Sequence, residues 1–141
     1  LNKNEYKEIM LEIFKFKKFD YKKKIKKTFL NKSHIKKLFI KGNSIGLHSH
    51  SHTFNFDKLS FKDQNYEYRK NNRLLKNIIN SKIYSACYPG GKLNKYSFKV
   101  LKDLQIQCSF IDNIKKNKIY SEKYNNFLVP REDSANIIKL I

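Results

Sequence analysis

His48-Ser49-His50-Ser51-His52 gathers three of the chain's four histidines into five consecutive residues, entered through Ser44-Ile45-Gly46-Leu47. Neutral imidazole is the commonest side-chain ligand of zinc-like ions. Two of them at i and i+4, or at i and i+2 on an extended segment, can converge on one ion. His48 and His52 are therefore the candidate metal ligands. His50 either faces the opposite side, since neighbours on a strand alternate, or serves proton transfer. Ser49 has no G-x-S-x-G elbow around it and is expected to hydrogen-bond near the ligands rather than attack a substrate. His34 stands apart near a helix start and reads as a surface residue.

The elements that must position these residues follow from periodicity and punctuation. Ile9, Met10, Ile13 and Phe14 recur at helical spacing, and a second, basic helix falls within Tyr21 to Phe29. The aromatics Phe14, Phe16 and Phe19 belong to a core or a lid. Ser33 is a candidate cap for a third helix that stops at Gly42. A short strand from Ser44 to Leu47 delivers His48. Ser60 with Asp63 opens a long helix through Tyr66, Leu74, Leu75 and Ile78. Further strands are expected at Tyr84 to Tyr88, Gln107 to Ile111 and Phe127 to Val129. Asn94 caps the helix that carries Phe98, Leu101 and Leu104, and Asp133 or Ser134 caps a last one. Helix and strand alternate from Ser33 onwards, so the fold class is α/β with a parallel sheet. His48, Pro89-Gly90, Asp112 and Pro130-Arg131 each stand just after a strand, which aims four segments at one rim, as in α/β barrels.

Composition bounds the remaining questions. A chain of 141 residues, 40% hydrophobic, can bury one ordinary core, and no apolar run approaches the roughly 20 residues of a membrane span. Residues 1–141 read as a single domain, with a helical lead-in over 1–30 and the motif-bearing part over 31–141. Cys87 and Cys108 match neither a disulfide framework nor a CxxC site, which points to a reducing, cytoplasmic compartment, an upstream signal or anchor segment staying open. The net charge of +19 invites a nucleic-acid reading. Against it, Lys, Asn, Ile, Phe and Tyr all have A/T-only codons, and lysines scatter along the whole chain instead of interleaving with aromatics on one element. Nucleic acid is not the expected partner; attraction to anionic glycans or lipid-linked precursors suits the same charge.

The His motif with its preceding Ile-Gly, the turn Tyr88-Pro89-Gly90-Gly91 followed by Lys92-Leu93-Asn94, and one long helix between them resemble the polysaccharide deacetylases, the NodB-homology group of carbohydrate esterases. The resemblance begins near Phe29 and reaches the C-terminus, where Val129-Pro130-Arg131-Glu132-Asp133 is similar to a Pro-Arg-acidic segment of some members. It implies a partial or distorted (β/α) barrel and removal of acetyl groups from N-acetylated sugars, a carbon–nitrogen, non-peptide hydrolysis in carbohydrate metabolism. It also implies a divalent ion, zinc first and cobalt, nickel or another ion as alternatives, on His48 and His52. Gly90 would offer its backbone N–H to an oxyanion, Tyr88 and Pro89 would meet the sugar, and Arg131 would act at the rim. Two family features are missing: a Thr-Phe-Asp-Asp segment on the first strand and a histidine after His52. Cys87 stands where many members carry an arginine. An N-terminally incomplete copy, which Leu1 as first residue favours, and an inert remnant binding glycan or metal are both consistent with this pattern.

Overall fold

The computed structural model of the chain describes residues 3–112 and 125–131. Helix α1 (Lys3–Phe16) and helix α2 (Tyr21–Thr28) form a basic lead-in. Asp20 caps α2 by accepting the Lys23 amide at 3.0 Å, so this carboxylate is used locally. No described side chain of either helix is fully buried. Phe14 packs on Phe19 and Tyr21 with ring centroids 5.4 Å apart, while Phe16 is 81% exposed and lies outside the core.

The core begins at helix α3 (Lys32–Ile40), which packs Ile35 and Phe39 against it. The cap of α3 is Asn31, not Ser33: its Oδ1 accepts the His34 amide at 2.9 Å. The cap sits two residues earlier because Asn31 holds the extended backbone that a capping residue needs. The His34 ring lies back over this cap, which accounts for that histidine. At the other end Gly42, at φ +86°, donates to Phe39 O and Asn43 donates to Leu38 O, the paired bonds of a Schellman stop.

Helix α4 (Phe61–Ile79) starts where Ser60 Oγ accepts the Asp63 amide and donates to Asp63 Oδ2 at 2.6 Å. Helix α5 (Lys95–Asp103) is capped by Asn94, whose side chain accepts the Tyr96 amide and donates to Asp57 O at 2.6 Å. Strands β1 (Ser85–Cys87), β2 (Cys108–Ile111) and β3 (Val129–Pro130) form a parallel sheet in that order. Ala86 pairs with Ser109 and Phe110 pairs with Val129. On the free side of β1 the expected Ser44–Leu47 strand shrinks to a single parallel bridge from Leu47 to Ala86. Gly46 explains part of this: a Cβ there would stand 2.8 Å from Ser85 Oγ, so the backbones approach without room for a side chain. Phe127, expected in the last strand, lies instead in a 3-10 turn, Asn125–Phe127. The helix expected from Ser134, with Glu132 and Asp133, lies outside the described residues.

The architecture is thus α/β, with a small parallel sheet and α4 and α5 packed together beside it. No helix among the described residues is long and apolar enough to cross a membrane. Between sheet and helices lie Leu47, Ala86, Phe98, Leu101, Ile111 and Leu128, each at most 2% exposed. Two buried tyrosines are anchored differently. Tyr88 OH meets Ser109 Oγ at 2.6 Å and donates to Phe127 O at 2.9 Å, tying β1 to β2 and to the turn before β3. Tyr68 OH is buried with no hydrogen-bond partner, and burial pushes its hydroxyl pKa well up. A satisfied buried hydroxyl contributes about 1 kcal/mol, whereas an unsatisfied one carries its desolvation cost. Tyr88→Phe is therefore expected to lower the unfolding free energy by about 1–2 kcal/mol, and Tyr68→Phe to leave it unchanged or raise it. Urea denaturation of both variants checks this contrast; equal losses would contradict it.

Candidate functional site

The candidate site starts at the residue after Leu47. Leu47 donates its amide to Ser85 O at 2.9 Å and accepts the Cys87 amide at 2.7 Å. His48 therefore leaves the sheet at the carboxyl end of β1. Its own amide is taken by Asn71 Oδ1 of α4 at 3.0 Å, and its ring Nδ1 lies 2.9 Å from the carbonyl oxygen of Cys87. A carbonyl only accepts, so Nδ1 carries the proton and Nε2 of the neutral ring is the free lone pair, the form that binds metals. Backbone carbonyls commonly orient metal-ligating histidines in this way.

The chain then folds back on itself. Ser49 and His52 adopt left-handed backbone, φ 59° and 49°, which brings the His48 and His52 rings edge to face with centroids 4.9 Å apart. Each left-handed non-glycine residue costs about 1–2 kcal/mol. The offset comes from Glu67 on α4, buried and accepting the amides of His50 at 2.9 Å and Ser51 at 2.7 Å, together with Ser51 Oγ at 2.9 Å. Ser49 is buried with its Oγ accepting the His52 amide at 3.1 Å, a bracing role within the loop. The His50 side chain is exposed, and its amide rather than its ring is what the site uses.

The other strand ends arrive beside it. Pro89-Gly90-Gly91 makes a tight 3-10 turn with Gly90 at φ 57° and Gly91 at φ 63°; Gly90 is exposed and Pro89 buried. A Cβ on Gly91 would collide with the carboxylate of Asp112, so Asp112 from the end of β2 lies directly against this turn. Arg131 donates its amide to Ile111 O at 2.9 Å, which places it just past β3 with an exposed side chain. The half-buried Cys87 thiol feels both groups. Burial raises its pKa, the Arg131 charge pulls it down and Asp112 pushes it up. Tyr88, expected to line a sugar pocket, does not: its ring is 1% exposed and its hydroxyl is held inside the core. The strand period turns Tyr88 inward with Ala86, and it is Gly90, in the turn beyond the strand, that is exposed.

The structure therefore brings together His48, His52, Cys87, Gly90, Asp112 and Arg131 at one edge of the sheet. Among the described residues no group of three or more His, Cys, Asp or Glu side chains is arranged to hold a metal ion, so the two imidazoles form a half-site. Glu67 and Asn71 are the positioning residues that the sequence concealed. Their signal was present: Gln64, Glu67 and Asn71 interrupt the apolar face of α4 at helical spacing, where a solvated polar residue has no place.

A family model described as polysaccharide deacetylase matches residues 14–109, more than half of the chain. This match starts earlier than the motifs alone indicate and ends before Val129, leaving the Pro130-Arg131 segment beyond it. No curated protein sequence matches significantly. Among solved structures, the Streptococcus pyogenes deacetylase PplD in complex with acetate superposes with a TM-score of 0.62 at 16% identity, covering 78% of this chain and 50% of its own. BA3943 of Bacillus anthracis, described as a CE4 family pseudoenzyme, gives a TM-score of 0.56 at 19% identity, covering 82% of this chain and 44% of its own. A BA3943 mutant with restored enzymatic activity matches with the same TM-score and identity. At these identities the likeness is one of fold, and the chain spans about half the length of these structures. The fold, the strand-end histidines and the family match agree that the chain belongs to the polysaccharide deacetylase family.

Proposed function

We propose that this chain is a metal-dependent hydrolase that removes acetyl groups from N-acetylated sugars of a polysaccharide or glycan precursor, with His48 and His52 as ligands. The observation that carries this reading is the His48 ring held by Cys87 O with Nε2 left open beside His52. The donor set of two imidazoles suits zinc, cobalt or nickel. A bound divalent ion would supply an acidified water and polarisation of the amide carbonyl. The chain's own contributions are separate. His48 presents a ligand already oriented by α4 and β1, and the His52 ring packs against it. Gly90, with no Cβ and at an exposed turn, admits a substrate oxygen close to its amide, which could steady the oxyanion. Arg131 places a positive charge at the same rim. The ends of three parallel strands and of the Leu47 bridge, gathered at one edge, support reading 1–141 as one domain built as a distorted, incomplete (β/α) barrel. The free thiols of Cys87 and Cys108 are in keeping with a cytoplasmic setting.

A second reading, an inert deacetylase-like remnant, is favoured by one feature: catalytic zinc usually has three protein ligands, and the described residues offer two. The two readings part on acetate release. With zinc or cobalt added, acetate release from N-acetylated chito-oligosaccharides is expected, and His48→Ala or His52→Ala abolishes it. Metal affinity, read by chelator competition, falls at least about tenfold in each variant, since even changes beyond the ligands cost about 10- to 100-fold. Normal metal binding with no acetate released would select the remnant.

Glu67 provides an independent check on the site's construction. Removing a buried charged acceptor of three hydrogen bonds, Glu67→Ala is expected to cost about 2–4 kcal/mol and to speed amide exchange at His50 and Ser51 beyond the rate set by global unfolding. Glu67→Gln keeps an acceptor oxygen and restores part of the protection. Exchange at His50 and Ser51 that follows global stability alone would show that Glu67 does not hold the loop.

A further inference from the structure

On the side of α4 opposite the His loop lies an open groove of about 650 Å³, closed at one edge by Leu104 just past α5. Lys62, Arg69, Lys70, Arg73 and Lys76 line it, and no carboxylate does. Their spacing, i, i+7, i+8, i+11 and i+14, keeps all five on one helix face over about 21 Å. The helix's two carboxylates are both turned elsewhere: Asp63 is used at the Ser60 cap and Glu67 is buried under the His loop. The groove continues into a smaller one lined by Asn72, Lys76 and Lys82 at the amino end of the sheet, remote from the strand-end site.

Lysine number alone says little here, because A/T-rich codons write lysine freely, but arginine is different. The chain has three arginines, Arg69, Arg73 and Arg131, and two of them face this groove one helical turn apart. Guanidinium groups bind planar oxyanions in a two-pronged manner that ammonium groups cannot reproduce. Arg69 is already braced, its Nε donating to Asn65 Oδ1 at 2.8 Å. Besides Tyr66 and Leu104, the rest of the lining is amides, Asn65, Asn72 and Asn77, which suit hydroxyl groups. The one aromatic, Tyr66, carries the Lys70 ammonium over its ring at 5.1 Å and accepts from it at 2.8 Å, so no row of bare rings is offered to stacked bases.

We infer that this groove binds a carboxylate-bearing polysaccharide segment, with Arg69 and Arg73 gripping successive carboxylates and the asparagines meeting hydroxyls between them. The choice of a glycan rests on the proposed function; the preference for an anionic chain does not. The groove would then hold an acidic stretch of a long polymer while another stretch reaches the histidines across the width of α4.

The test uses the full 141-residue chain without added metal and a fluorescent oligogalacturonate, which has no acetyl group for the histidine site to act on. Binding that weakens with salt is expected, falling at least about tenfold in Arg69→Gln/Arg73→Gln. The equally charge-reduced Lys22→Gln/Lys23→Gln, on α2, should bind as the parent does. Equal weakening in both variants would reduce the effect to net charge and overturn the proposal. So would undiminished binding by the arginine variant, or a single-stranded poly(U) probe held at least about tenfold more tightly than the uronate chain. Because the read-out is binding, loss of acetate release alone would sink the proposed function without touching the groove.

Discussion

Everything at the candidate site hangs on one pair of main-chain bonds, Leu47 N–H to Ser85 O and Cys87 N–H to Leu47 O. They pin a single residue of an otherwise unladdered segment to β1, in parallel. The same direction then passes through Cys87 to Phe110 and through Phe110 to Val129. In a parallel set every strand leaves the sheet at the same edge, so whatever follows each paired residue must gather there. His48, the Pro89 turn, Asp112 and Arg131 are neighbours for that reason alone. The carbonyl of Cys87, bonded to the His48 ring, turns a strand end into a ligand support.

Helix α4 is the second fixed part, and its two faces do different work. Its inner face packs Tyr68 and Ile79 into the core and sends Glu67 and Asn71 under the His loop. Two left-handed residues would make that loop costly by about 2–4 kcal/mol in isolation. Three hydrogen bonds to one buried carboxylate, at about 1 kcal/mol each, are enough to offset it. The loop that carries both histidines is consequently set in place by protein contacts. That is the pre-organisation a metal site needs, and it is equally what a binding remnant would keep.

The parts of this structure that were legible in the sequence are those fixed by neighbours in sequence. Ser60 with Asp63, Asn94 before α5 and Gly42 after α3 are contacts over three to five residues, and residue type alone states them. Asn31 rather than Ser33 as the cap of α3 shows the limit, since both are good caps and only the backbone angles separate them. Ser44–Leu47 has strand-like residues, yet a strand exists only by pairing, and Leu47 alone finds a partner. Tyr88 was misplaced because a strand's alternation does not say which face is the core. Glu67 was hidden for another reason: its place on the apolar face of α4 marks it as buried, but the amides it serves are 16 and 17 positions away and nothing local names them.

Charge shows the same division between what composition sets and what folding sets. Composition states that the chain carries 31 Lys and Arg against 12 Asp and Glu, but not where the excess is left uncompensated. Folding decides that. By drawing Asp63 into a cap and Glu67 into the interior, it strips the outer face of α4 of both its carboxylates while fixing the inner face to the histidines. A solvated lysine on α2 keeps its hydration and its freedom, so an anion gains little there. Arginines one turn apart on a packed helix, one already braced by Asn65, have less side-chain freedom to lose on binding. The rigidity that positions His48 from beneath is therefore the same rigidity that presents Arg69 and Arg73 on the opposite face. The width of α4, about 10–12 Å with its side chains, holds the two at a constant separation.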